Sequence, residues 1–155
     1  VCQDLAKIVY DTGTSLSLNM HKGGTYINME GPAFSTLAES NLYRSWGMDV
    51  IGMTNMPEAK LAREAEICYS TLACVTDYDC WHPQHESVTI DMIIQNLLKN
   101  VDNAKRLLSA VIKNIIPQRN CACKDTLKYA IITDKKLIPA KVKKDLGIII
   151  GKYVK

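Results

Sequence analysis

Residues 49–79 read DVIGMTNMPEAKLAREAEICYSTLACVTDYD, and the order of chemistry along them decides the fold class. Asp49 to Thr54 is short, apolar and β-prone, which predicts a buried strand. Pro57 then stands in the first turn of a helical stretch, PEAKLAREAE, where its missing N–H costs nothing. Ile67 to Thr76 is a second apolar run, predicted as another buried strand, and it empties into a polar loop, DYDCWHPQHE. Strand, helix and strand in this order argue for one α/β domain, with ligands expected at the carboxyl ends of the strands.

Working toward the amino terminus, GGTYINMEG (23–31) alternates and runs into Gly31-Pro32, a strand entering a turn. Thr36-Leu37-Ala38-Glu39 fits a capping box, with Thr36 as N-cap and Glu39 reaching back, and the helix it opens should stop at Gly47. Cys2, Leu5, Ile8 and Val9 share one face of a first helix, for which Gly13 is the expected C-cap. The chain opens directly inside this pattern, as a segment of a longer chain would. Toward the carboxyl terminus, Thr89 to Ile116 is the longest regular feature. Ile90, Ile94, Leu97, Val101, Ala104, Leu108, Val111 and Ile115 form a stripe spaced alternately four and three apart. Ile93, Leu98, Leu107 and Ile112 widen it beyond a coiled-coil seam, so a helix packed on a domain core is predicted. TLKYAIIT (126–133) reads as a short helix or strand, and GIIIG (147–151) as a final apolar element. No internal repeat or linker divides the chain.

Composition bounds the function. In 155 residues, 47% hydrophobic content is enough for a real core, and the net charge of +3 is small and scattered, which gives nucleic-acid binding no support. No apolar run reaches the roughly 20 residues of a membrane span. The six cysteines, at 2, 68, 74, 80, 121 and 123, form no CxxC pair and read as reduced core thiols of a cytoplasmic protein. Cys121-Ala122-Cys123 alternatively reads as a tight redox pair or half of a metal site.

Three short segments fall where strand ends should deliver ligands: Gly31 to Thr36, Gly52 to Asn55, and Thr76 to Trp81. In the last, Asp77 and Asp79 can converge on one site, with strand alternation placing Tyr78 on the other face. Paired acids in a partly dry pocket suit proton donation, against the plainer reading of a solvated acidic turn. Asp77, Asp79, Cys80, His82 and His85 also invite a zinc reading, although their spacing matches no closed structural site. Phe34, the only phenylalanine, is either a base-stacking platform or a hydrophobic staple.

These residues carry a resemblance. MEGPAFSTLAES, YRSWGMDVIGMTNMPEAKLAREAEICYSTLACVTDYDCWH and the tail with LKYAIITD and IIGKY resemble the S-methyl-5′-thioadenosine phosphorylases, within the trimeric purine nucleoside phosphorylase superfamily. The likeness implies an α/β fold in which residues 1–155 are the carboxyl-terminal portion of a single phosphorylase domain, with part of a mixed, barrel-like sheet flanked by helices. It implies phosphorolysis of methylthioadenosine to adenine and 5-methylthioribose 1-phosphate, with no cofactor or metal, in a cytoplasmic homotrimer. By family position, Phe34 would pack on the base and Met53 would contact the ribose. Ser35 and Thr54 would face the sugar and phosphate. Asp77, the catalytic acid, and Asp79 would hold the adenine N7 and 6-amino group, and Val88, Ile90, Ile93 and Ile94 would line the methylthio pocket. Leu37 and Ala33 depart from the family pattern, which usually has a basic and a longer polar residue there. The competing readings are a non-catalytic segment of the same fold, lacking the phosphate-binding half, and an unrelated metal hydrolase built on the Asp/His loop.

Overall fold

Capping and breaking residues set the order of elements. In a computed structural model, which describes residues 1–82 and 89–154, that order is α1 (Gln3–Ser15), β1 (Tyr26–Asn28), α2 (Leu37–Ser45), β2 (Val50–Gly52), α3 (Asn55–Glu64), α4 (Ile90–Asn114), a 3-10 turn (Ala122–Asp125), α5 (Ala140–Asp145) and α6 (Gly147–Ile150). Among the described residues no helix is long and apolar enough to cross a membrane.

The strands β1 and β2 pair in parallel, with Tyr26 opposite Val50 and Asn28 opposite Gly52. A parallel pair requires a crossover, and α2 supplies it. The capping box forms as the sequence predicts: Glu39 N–H donates to Thr36 Oγ1 at 3.3 Å and Thr36 N–H to Glu39 Oε2 at 2.7 Å. Gly47, with φ at +74°, ends the helix in the left-handed conformation that a side chain disfavours. At the next helix the expected start at Pro57 moves two residues upstream. Thr54 stands at the N-cap without a side-chain bond, and Asn28 Oδ1, reaching across from β1, accepts the Met56 N–H at 2.9 Å. One orphan amide of α3 is therefore satisfied by the neighbouring strand.

The α1 helix runs past its expected end. Gly13 is helical and buried, packed so closely on Met20 that an added Cβ would meet its sulfur at 2.7 Å. The left-handed residue is Ser17, at φ +57°. Helices α1 and α4 pack together, and the Asn114 amide donates to the buried Thr12 hydroxyl at 3.1 Å.

Three expectations fail. Ile67 to Thr76 forms no strand. A strand needs a ladder, and here the carbonyls of Val75 and Thr76 are taken by the side-chain amides of Asn100 and Asn96 on α4, at 2.8 and 2.9 Å. The long helix forms with Thr89 as N-cap, but its buried contacts are Leu107 and Val111, while Ile90, Ile94, Leu97, Val101, Leu108 and Ile115 stay exposed. Periodicity identifies apolar residues; the side that α1 and the Asn-bound segment occupy decides which are covered. Residues 126–130 form turns and 131–133 no regular element; Thr126 donates to the Arg63 carbonyl at 2.8 Å and the Leu127 N–H to Glu66 at 3.1 Å. Bonds to the end of α3, some 60 residues away in sequence, take the place of regular backbone pairing here.

Glu66 ties the carboxyl-terminal segment to the end of α3. The Tyr153 hydroxyl, the Leu127 N–H and the Lys152 ammonium all donate to its carboxylate. The Tyr153 bond is the largest of the influences holding the Glu66 carboxyl below its ordinary value of 4.5. A depressed carboxyl contributes stability above its unfolded pKa, and that contribution is lost as pH falls through the folded value. We therefore expect the urea midpoint to fall on acidification below pH 4.5. Tyr153→Phe should lower that midpoint above pH 4.5 and bring the acid loss closer to pH 4.5. Superimposable midpoint-against-pH curves for the two proteins would refute this role for Glu66.

Candidate active site

The carboxyl ends of β1 and β2 and the loop after Thr76 face one open cleft of about 710 Å³. Six of the sequence-predicted site residues line it together: Phe34, Ser35, Met53, Thr54, Asp77 and Asp79. Phe34 is 88% exposed, which removes the staple reading, since a staple must pack on its helix. Met53 lies against the β1 exit, where its sulfur would sit 2.7 Å from a Cβ on Gly31. Glycine at 31 is what lets the thioether approach this backbone. Ser35 is half-buried and its hydroxyl donates to Met29 Sδ at 3.2 Å.

The acid loop is fastened to one face of α2. Ser40 is 1% exposed, and its hydroxyl donates to Asp79 Oδ2 at 2.6 Å. Asp79 Oδ1 accepts the Cys80 N–H at 2.8 Å. One helical turn beyond Ser40, the Arg44 guanidinium lies 3.7 Å above the centre of the Trp81 ring, a cation–π contact. Asp79 is thus held by two donors. Asp77 is exposed and accepts from the Thr76 hydroxyl at 2.6 Å. Tyr78 does not turn away as strand alternation predicts: it too lines the cleft, stacked on His82 with ring centres 4.1 Å apart. The loop is not a strand, so alternation does not govern it.

Other predicted residues do not reach the cleft. Ile90 and Ile94 are exposed and Ile93 half-buried at the start of α4, and none of the three lines the cleft. Val88 and His85 lie outside the described residues. Among the described residues, Asp77, Asp79, Cys80 and His82 form no grouping fit for a metal. Sequence reasoning missed Ser40 and Arg44, whose spacing of four on a predicted helix is the signal that could have placed them on one face, and gave Trp81 no role of its own. Four carboxylates (Asp49, Glu58, Asp77 and Asp79) and one guanidinium, Arg44, line the cleft among the described residues, so its field favours hydrogen-bond donors over anions.

The cysteines also depart from a set of core thiols. Cys74 is exposed and only Cys2 is buried. Cys2, Cys68, Cys121 and Cys123 come together from three parts of the chain, their sulfurs all within 4.8 Å of one another. The Cys123 N–H, with the Cys68 side chain second, draws the Cys121 thiol down to about 7, while burial pushes Cys123 up to about 12.

Comparison with known proteins places these features in a family. A model of the phosphorylase superfamily matches residues 1–113. The S-methyl-5′-thioadenosine phosphorylase of Geobacter sulfurreducens is 56% identical over 154 residues, covering 99% of this chain and 54% of the relative. That of Gloeobacter violaceus is 53% identical, covering 99% and 53%. A crystal structure of a methylthioadenosine phosphorylase from an antarctic soil metagenomic library superposes with a TM-score of 0.87 at 42% identity, over 96% of this chain and 53% of that one. The Schistosoma mansoni methylthioadenosine phosphorylase in complex with adenine gives 0.72 at 27% identity, over 88% and 54%. The chain spans about half the length of the curated relatives it matches.

The Ser40 bond is the most exposed to test. A hydrogen bond to a charged partner is worth about 1.5–3 kcal/mol, so Ser40→Ala should lower unfolding stability by about that amount in urea. A loss below about 0.5 kcal/mol, within the range of ordinary surface substitutions, would show that Asp79 is positioned without it.

Proposed function

This chain belongs to the phosphorylase superfamily, and from that premise we propose that it forms the purine- and ribose-reading side of a methylthioadenosine phosphorylase site, the enzyme being a pentosyltransferase. The observation that carries the reading is the meeting of Phe34, Met53, Asp77 and Asp79 on one cleft. The exposed Phe34 ring offers the base a face. Asp79, fixed by Ser40 and the Cys80 amide, accepts from the adenine 6-amino group. Asp77, open to the cleft, accepts from the same amino group through one carboxyl oxygen and through the other shares its proton with N7 as the glycosidic bond breaks, and general acid catalysis of this kind contributes roughly 10²–10⁴ in rate. Met53 packs on the ribose, while Ser35 and Thr54 donate hydroxyls toward the sugar and phosphate. Val88, Ile90, Ile93 and Ile94 cover the methylthio group. The Asn96 bond to the Thr76 carbonyl, which brings the start of α4 to the acid loop, supports that assignment. The substrates are methylthioadenosine and phosphate, with no cofactor and no nucleic-acid partner.

The complete enzyme, on this reading, is a cytoplasmic homotrimer whose sheet closes toward a mixed barrel. The extensive apolar exposure along α4 is what such an assembly would cover. The phosphate is held elsewhere. A dianion in line with the ribosyl carbon needs preorganised cationic or N–H donors, and the described cleft offers one guanidinium already stacked on Trp81.

The test is phosphate-dependent adenine release from methylthioadenosine, by this chain alone and by this chain grafted as the carboxyl-terminal half of a relative. Release is expected from the graft only. In the graft, Asp77→Asn should lower kcat/KM by roughly 10²–10⁴ and shift preference toward 6-oxopurines, because a site built around a hydrogen bond from the 6-amino group rejects a partner that lacks it. Turnover by the chain alone would overturn the division of the site, and an unchanged base preference would overturn the role of Asp77.

A further inference from the structure

We propose that Cys2, Cys68, Cys121 and Cys123 form a structural binding site for a single zinc ion, apart from the cleft. The four sulfurs lie within 4.8 Å of one another. A tetrahedral zinc–thiolate site, with bonds of about 2.3 Å, has sulfurs separated by about 3.8 Å. The pair Cys68 and Cys121, at 3.3 Å, needs to open slightly and the wider pairs to close by about 1 Å or less. Such shifts are within rotamer adjustment of short side chains. The space suits one ion, and four soft sulfur donors in this arrangement select zinc over calcium or magnesium.

The surroundings are those a thiolate site requires. The Leu5 N–H donates to Cys2 Sγ at 3.5 Å, where Cys2 caps α1. Arg119 sits with Nη1 at 4.0 Å from Cys68 Sγ, braced by a 2.7 Å bond to the Glu66 carbonyl. The guanidinium offsets part of the double negative charge that four thiolates leave on a divalent ion, and the N–H donors orient the sulfurs as outer partners do. Cys2 is buried and the other three are half-buried, so the ion has a route in and a protected seat. The cluster joins the start of α1, the segment after α3 and the 3-10 turn after α4, which the apolar core ties together sparsely. On binding, zinc takes four thiolates and four thiol protons pass to solvent; no oxidant or reductant takes part.

The experiment uses the chain reduced, stripped of metal and kept free of oxygen. Zinc is titrated against a chromophoric chelator, and cobalt(II) is used as the spectroscopic probe. The expected result is one zinc per chain and a cobalt spectrum with intense visible bands and the sulfur-to-cobalt charge transfer of a tetrathiolate. Cys121→Ser and Cys123→Ser should each lose one thiolate's share of the charge transfer, and Cys74→Ser none. A chain isolated with Cys68 joined to Cys121 that takes up zinc after reduction also supports the site. No stoichiometric uptake by the reduced wild-type chain overturns it, as does the weak octahedral spectrum of an oxygen-ligated cobalt ion. Both of these readings use the wild-type chain and do not depend on a variant folding.

Discussion

The candidate site depends on one buried hydroxyl. Ser40, near the start of α2, donates to a carboxylate 39 residues further along the chain, and that bond fixes where the acid loop can lie. It exists because the capping box starts α2 at a defined residue, which sets the helix phase and points Ser40 and Arg44 to the same side. A start one residue later would rotate the face by about 100° and present neither. The local rule at Thr36 therefore controls the geometry at Asp79, through a helix that carries none of the proposed chemistry itself.

The same dependence explains what could be read from the residues beforehand. Elements whose boundaries are set by local chemistry were legible: Thr36 and Glu39 start α2, Gly47 ends it, and Thr89 opens α4. Elements that need a distant partner were not. Ile67 to Thr76 has the composition of a strand, yet its last two carbonyls are claimed by two asparagines of α4 that no local pattern announces. Asn28 is similar, since a polar residue at a strand end gives no sign that it will cap a helix 28 residues away. Within the cleft, Phe34 and Met53 were legible because β1 and β2 end beside them, whereas Asp77 and Asp79 reach it although the strand expected before them does not form. Their supports were not, because Ser40 and Arg44 meet the acid loop only in space.

The cysteines illustrate the limit from the other direction. Cys121 and Cys123 are adjacent enough to suggest a pair, but Cys2 and Cys68 stand in segments whose apolar neighbours argue for core thiols. Only packing of the α1 N-cap beside the segment after α3, joined by the 2.7 Å bond from the Cys2 N–H to the Tyr69 carbonyl, brings Cys2 to the others. A ligand set drawn from three separated segments has no spacing rule to be recognised by. It does have a consequence for stability: a thin core with few fully buried side chains gains most from a cross-link that spans such segments.

The charge of the cleft separates two demands that the proposed chemistry makes. A purine with a 6-amino group presents hydrogen-bond donors, and carboxylates satisfy donors without competing for a proton from the backbone. Phosphate at neutral pH presents negative charge and mostly acceptors, and the same carboxylates repel it. A surface that serves the base well is for that reason a poor phosphate site, unless cations outnumber acids within a few ångströms. With Asp49, Glu58, Asp77 and Asp79 facing the cleft and Arg44 bound to Trp81, the balance favours the base. Ser35 and Thr54 can orient an anion but not neutralise it. On this reading the two halves of the reaction are held by opposite fields, with the ribosyl carbon at their boundary. Positive charge developing on that carbon is then stabilised by phosphate from one face, while the acid loop takes up the purine from the other.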